Sequence, residues 1–194
     1  MALLRPALVF AAAFSVLCGL AYPLSVTGIG LVAFPRQARG SLLVREGRLR
    51  GSELIGQHTE DPGYFWGRLS ATQDAEGRPL PTNAANSSGS NLAPSHPELR
   101  KHAERRIAAL RQADPSNTST VPADLVTASA SGLDPHISPA AAAYQVPRVA
   151  RVRHLDPEKL RTLVRAHTRD RTLGFIGEPC VNVLELNLAL ESMR

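Results

Sequence analysis

Several signatures are missing from this chain, and each absence narrows what it can be. Only two cysteines, Cys18 and Cys180, occur among the 194 residues and they form no Cys-x-x-Cys pair, which excludes a disulfide framework and a cysteine-based structural zinc site. Aromatics make up 5% of the chain, with one Trp, so a modest core with a high loop fraction is expected. There is no Gly-x-Ser-x-Gly elbow, no His-x-x-x-His and no calcium loop. The one polar stretch that resembles a phosphate loop, residues 87–91, holds a single glycine and no Lys-Ser or Lys-Thr after it. The net charge is +5, yet no nucleic-acid-binding motif and no interleaved aromatics accompany it, so no nucleic acid partner is expected. Solvated helix faces, one near residues 100–111 and another over 148–171, account for most of the basic excess.

The most informative absence is charge between Pro6 and Pro35. About thirty residues at 1.5 Å rise reach roughly 45 Å as one helix, more than the ~30 Å of a hydrocarbon core. Residues 7–34 are therefore read as a transmembrane helix. A cleaved signal peptide is the alternative: Arg5 gives a basic start and Gly19-Leu20-Ala21 a loose small-x-small site. The apolar run resumes after Tyr22-Pro23, however, which a spanning helix needs and a signal peptide does not. Pro23 should kink the helix, and Gly28 and Gly30 should let another transmembrane helix approach closely. Counting cations, Arg5 on one side against Arg36, Arg39 and Arg45 on the other, weakly favours a cytoplasmic C-terminal part and leaves topology open.

Residues 37–194 read as one soluble domain. Ser41 to Val44, a Glu46-Gly47 turn and Arg48 to Arg50 predict a hairpin, with Glu53 to Gln57 as further strand. Tyr64, Phe65 and Trp66 are consecutive, so they cannot all face one way; one or two are core and the remainder is a candidate interface anchor. A long loop follows over residues 72–95. Ser95 to Glu98 carries capping-box spacing, and Leu99, Ala103, Ile107 and Leu110 continue at helical intervals to Asp114-Pro115. Ser138-Pro139 starts a second helix that Pro147 should interrupt or restart, and Asp156-Pro157 starts a third. Residues 172–176 are read as strand and 182–190, rich in Leu, Ala and Glu, as helix. Together these elements predict an α+β protein: one N-terminal transmembrane helix followed by a single compact mixed α/β extracytoplasmic domain, the last placement resting on the resemblance given below.

The segment from Val121 to Arg148 concentrates polar chemistry. Asp134-Pro135-His136 with Ser129 or Ser131 offers the residue types of nucleophile, base and orienter, and Asp124, Asp134 and His136 are types that can ligate a metal. No elbow or ligand spacing supports either use. The bland reading is that Asp, Ser and His satisfy loop backbone groups. A membrane-anchored hydrolase built on Ser131, His136 and Asp134 is the alternative to a non-enzymatic role.

Taken in order, the motifs resemble one family, the C subunit of Kdp-type potassium-transporting ATPases. The likeness rests on Tyr22-Pro23, the run Gly51-Ser52-Glu53-Leu54-Ile55-Gly56-Gln57, Tyr64-Phe65 with Arg68, Ser88-Gly89-Ser90-Asn91-Leu92, Asp124-Leu125-Val126-Thr127-Ala128-Ser129, Ser131-Gly132-Leu133-Asp134-Pro135-His136-Ile137-Ser138, Gln145-Val146 with Arg148, and Val181 to Asn187. It departs at Ser87-Ser88 where Ser-Gly is usual, at Leu69 for Pro and at Ala130 for Gly. The resemblance implies a single-pass protein of the bacterial inner membrane with a periplasmic soluble domain. It implies assembly with a channel-like potassium-binding A subunit, an ATP-hydrolysing P-type B subunit and a small F subunit, besides membrane lipid. It further implies an accessory role in high-affinity potassium import, as a catalytic chaperone that raises the B subunit's affinity for ATP, with ATP and magnesium belonging to that partner and no cofactor of its own. Gln145 stands in a motif likened to a nucleotide-contacting signature. Tyr22, Pro23, Gly28, Gly30, Asp134, His136 and Arg148 are the candidates for subunit contact. A domain outside the membrane cannot touch cytoplasmic ATP, so its effect on nucleotide affinity must be conformational.

Overall fold

The computed structural model describes residues 3–193; Met1 and Ala2, which open the basic start considered for a signal peptide, and Arg194, the last residue of the soluble domain, lie outside them. The chain divides into two compact units, Met1–Ser52 and Glu53–Arg194.

In the first unit, α1 (Leu4–Val16), a wide turn over Leu17–Ala21 and α2 (Tyr22–Ala33) run on as one apolar helix of 30 residues. The wide turn has a local cause. Pro23 has no N–H to donate and its ring crowds the carbonyl one turn earlier, so the helix loosens to π geometry there rather than breaking. Ser25 Oγ bonds back to the Ala21 carbonyl at 2.7 Å. Phe34, at φ −135°, ends the helix, and the short α3 (Pro35–Ala38) follows. The predicted hairpin is present as β1 (Leu42–Arg45) and β2 (Arg48–Ser52), antiparallel, with a register shift between Leu43 and Val44. Glu46 (φ 52°) and Gly47 (φ 72°) make its two-residue turn.

The second unit packs α4 (Pro97–Ala113), α5 (Ala123–Val126), α6 (Pro139–Arg153), α7 (Pro157–Ala166) and α8 (Val183–Glu191) around a small antiparallel sheet. That sheet has the order β3 (His136–Ile137), β5 (Cys180–Asn182), β4 (Thr168–Arg169), with Val181 opposite both Ile137 and Thr168. Helix starts follow the local signals closely. Ser138 Oγ accepts the Ala141 N–H at 3.0 Å, Asp156 caps α7 through Glu158 N at 2.8 Å, and Asn182 caps α8 through Glu185 N at 3.1 Å. Phe65, Leu110, Leu125, Val146, Leu186 and Leu190 are wholly buried at the centre.

Five expectations need correcting. Residues 53–57 are not strand: Gly56 N–H donates to the Leu133 carbonyl at 2.8 Å and the Glu53 carbonyl accepts from Asn182 at 2.7 Å, so side chains and loops replace a ladder. The cap of α4 is His96, whose Nδ1 accepts from Glu98 N at 3.2 Å, not Ser95. Pro147 lies inside an unbroken α6, because Val146, Arg148, Val149 and Ala150 on either side of it are buried and tertiary packing outweighs the ~3 kcal/mol a proline costs there. Residues 172–176 form a tight turn closed by one Thr172–Ile176 bridge instead of a strand. The basic face of α4 is solvated at Arg100 and Lys101, paired with Glu104 and Glu98, but Arg106 is buried.

Candidate functional site

The polar segment from Val121 to Arg148 is threaded through the second unit, and its side chains are spent on holding loops. Asp124 at the start of α5 accepts from Ser138 N at 2.7 Å and faces Ser138 Oγ at 3.2 Å, which clamps one short helix to the N-terminus of α6. Leu69 and Ala128 form a single parallel bridge, and Ser129 N–H donates to the Leu69 carbonyl at 3.1 Å. Gly132 sits at φ +69° where a Cβ would come within 2.4 Å of Thr72 Cγ2 and 2.6 Å of the Ser88 carbonyl oxygen. Three loops thus meet with no room for a side chain.

Asp134 and His136 do come together, as the sequence suggests. An Asx-type turn brings this about: Asp134 Oδ1 accepts the His136 backbone N–H at 2.9 Å and lies 3.3 Å from His136 Nδ1. The other carboxylate oxygen pairs with Arg68 at 3.0 Å, and Arg68 reaches on to the Ala128 carbonyl at 3.2 Å. Burial alone would raise the Asp134 carboxyl, but the bonds from His136 and Arg68 outweigh it and hold the group below its ordinary value. Arg68 is the member of this cluster whose role the motif reading left undefined. A carboxyl whose pKa is lowered on folding stabilises the fold above its unfolded value of 3.8 and ceases to as the pH falls through the folded value. Melting temperatures measured in steps from pH 6 to pH 2 should therefore fall less steeply for Asp134→Asn than for the parent chain; parallel curves would show that this carboxylate carries none of the acid sensitivity.

The nucleophile half of a triad is missing. Ser131 is exposed and its Oγ accepts the Leu133 N–H at 3.1 Å, while no hydrogen bond joins it to His136. The hydrolase reading is not supported. Among the described residues no three His, Cys, Asp or Glu side chains gather as a metal site, and Asp124 and Asp134 are occupied as described.

Beneath the loops lies a buried polar centre around Trp66. Gln145 is 1% exposed and uses both ends of its amide: Oε1 accepts from Trp66 N at 2.8 Å and from Arg148 at 2.7 Å, and Nε2 donates to the Trp66 carbonyl at 3.0 Å and the Ala141 carbonyl at 3.3 Å. One residue earlier, Asn187 of α8 treats Phe65 the same way, accepting its N–H and donating to its carbonyl, both at 2.9 Å. Two side-chain amides therefore do for Phe65-Trp66 what a neighbouring strand would do. The guanidinium groups of Arg148 and Arg106 lie 4.5 Å and 4.9 Å from the Trp66 ring centroid. Neither pairs with a carboxylate among the described residues. Arg148 donates to the Pro62 carbonyl at 2.6 Å, and Arg106 to the Leu125 and Gly67 carbonyls at 3.1 and 2.8 Å. Desolvation lowers both guanidinium groups to about 10. Phe65 and Trp66 are the core members of the aromatic run; Tyr64, half-buried, bonds Glu191 at 3.1 Å under Arg153 and is tied into the fold.

The candidates for subunit contact fall into two groups. Arg148 is buried, and Asp134 and His136 are half-buried in the loop cluster. Tyr22 is exposed, a Cβ on Gly28 would meet nothing within 4 Å, and one on Gly30 would meet only Ala38 Cβ at 3.9 Å. Gln145 offers no polar atom to a nucleotide. Arg106 reads in the sequence only as part of a basic helix face and Asn187 only as the last residue of a motif; what marks them is a cation and an amide at inward positions of their helices.

Residues 4–192 match the family model described as K+-transporting ATPase, c chain. The chain is 60% identical over 192 residues to a potassium-transporting ATPase KdpC subunit of Ralstonia nicotianae, covering 99% of this chain and 92% of that one. It is 57% identical to the KdpC subunit of Polaromonas naphthalenivorans, covering 99% and 95%, and 57% identical to that of Herpetosiphon aurantiacus, covering 98% and 96%.

Proposed function

This chain belongs to the KdpC family, the c chain of K+-transporting ATPases, and from that premise we propose that it is a non-catalytic accessory subunit of an ATP-driven potassium importer. Leu4–Ala33 anchors it in the inner membrane, beside a potassium-binding A subunit, an ATP-hydrolysing B subunit and a small F subunit. The unit Glu53–Arg194 lies on the periplasmic side and raises the ATP affinity of the B subunit by conformational coupling through the membrane parts. One observation carries this reading. The polar groups that look most like a site, those of Gln145, Arg148 and Asp134, are bonded to the chain itself, so the unit is built to be rigid and to transmit, not to bind or react.

Rigid coupling needs no ligand on this subunit, only contacts to its partners that differ between two states of the pump. The test of location is chemical labelling. With Cys18 and Cys180 replaced by serine, Ser131→Cys on the exposed loop should react with a membrane-impermeant maleimide in intact spheroplasts. Reaction only after lysis would put the unit in the cytoplasm and remove the case for indirect coupling. Function is tested separately: deletion of the chain should abolish growth at low potassium, and the tagged chain should co-purify with the A and B subunits.

A further inference from the structure

The hairpin β1–β2 is mounted on the end of the apolar helix and is amphipathic. Its position is fixed by hydrogen bonds within the first unit. Phe34 N–H donates to the Gly30 carbonyl and Ala38 N–H to the Phe34 carbonyl, so α3 folds directly onto the helix end. Ser41, which is buried, donates to the Arg36 carbonyl at 2.9 Å, and Ser52 Oγ closes the far strand onto the Gly40 carbonyl at 2.7 Å. These bonds tie the hairpin to the end of the helix, and the inference that follows rests on the reading above that Leu4–Ala33 spans the bilayer.

Its two faces differ in chemistry. Val44 stands opposite Leu49, and Leu42 is two residues from Val44 on the same side. These three are 49%, 64% and 61% exposed for Leu42, Val44 and Leu49, an apolar face that a two-stranded element leaves largely open. Cations crowd the same stretch: five arginines, Arg36, Arg39, Arg45, Arg48 and Arg50, against the single carboxylate Glu46. Arg45 and Arg48 face each other across the turn end.

We infer that this hairpin lies in the interfacial layer of the bilayer, with Leu42, Val44 and Leu49 seated at the headgroup–acyl boundary and the arginines on anionic phospholipid headgroups. Apolar residues on one face, cations around them and a tether to a spanning helix are what an interfacial element requires. Each arginine near an anionic surface contributes about a fivefold bias in binding. A protein partner would need acidic complementarity to the same five cations; the lipid surface supplies it wherever the hairpin meets the membrane.

The experiment uses the full chain in lipid nanodiscs, with native cysteines replaced by serine and a nitroxide label on Leu49→Cys. In nanodiscs with phosphatidylglycerol the label should collide with oxygen and be shielded, by roughly fivefold or more, from a water-soluble nickel relaxant compared with a label on the exposed Glu76→Cys. That shielding should weaken in pure phosphatidylcholine, and in a variant carrying Arg45→Gln, Arg48→Gln and Arg50→Gln it should no longer respond to lipid charge. A label open to the nickel reagent, or shielded from both reagents as against a second copy, overturns the inference. So does shielding that is the same in both lipids. A Leu20→Cys label that fails to report the bilayer interior would instead remove the spanning helix itself, a distinct failure.

Discussion

Replacing Gln145 by alanine will lower the melting temperature of the Glu53–Arg194 unit by about 6–12 °C, a larger loss than any surface substitution in it. The reasoning is local. Truncation strips the Trp66 N–H, the Trp66 carbonyl and one Arg148 amine of their partner in a place no water reaches, and leaves a cavity the width of an amide. Unsatisfied buried groups and the void together cost about 3 kcal/mol, at 2–4 °C per kcal/mol for a unit of this size. Gln145→Glu is the informative companion. It keeps two acceptor positions, and adds a carboxylate beside Arg148, but has no donor for the Trp66 carbonyl, so it should melt between alanine and the parent. Thermal unfolding by circular dichroism reads both. Were Gln145 a nucleotide contact instead, Gln145→Ala would melt like the parent while the assembled ATPase showed a raised KM for ATP.

Gly132→Ala is expected to cost about 2–5 kcal/mol. Left-handed backbone adds roughly 1–2 kcal/mol for a residue with a Cβ, and the new methyl would stand 2.6 Å from the Ser88 carbonyl oxygen and 2.4 Å from Thr72 Cγ2, overpacking worth another 1–3 kcal/mol. Gly174→Ala separates the two terms. It has a similar φ of +82° but nothing within 4 Å, so only the backbone term applies, roughly 1–2 kcal/mol. The stability lost, read from denaturant unfolding, should be about twofold greater for Gly132→Ala than for Gly174→Ala. Equal losses would mean that the loops around Gly132 can separate freely.

What the sequence discloses of this fold is what local chemistry decides. Ser138-Pro139 and Asp156-Pro157 start helices because a cap and a proline act within four residues. The hairpin is legible from Glu46-Gly47, and the long apolar helix from missing charge. Gln145 and Asn187 are legible only as members of motifs, since their partners Trp66 and Phe65 are 79 and 122 residues away. Arg106 read as part of a solvated face because periodicity places a residue on a helix but does not say which carbonyls, here those of Gly67 and Leu125, await it. The Asp134–His136 pair was visible as residue types, while the turn that joins them and the Arg68 that neutralises them belong to tertiary structure.

The two amides that flank the aromatic run bear on solubility as well as on rigidity. Phe65 and Trp66 are two large adjacent apolar side chains, both buried. Each N–H and each carbonyl of the pair is already taken by Asn187 or Gln145, so the segment offers no open edge onto which a second molecule can add a strand. Loss of either amide would then expose a nucleus for aggregation during biogenesis, before any partner subunit is met.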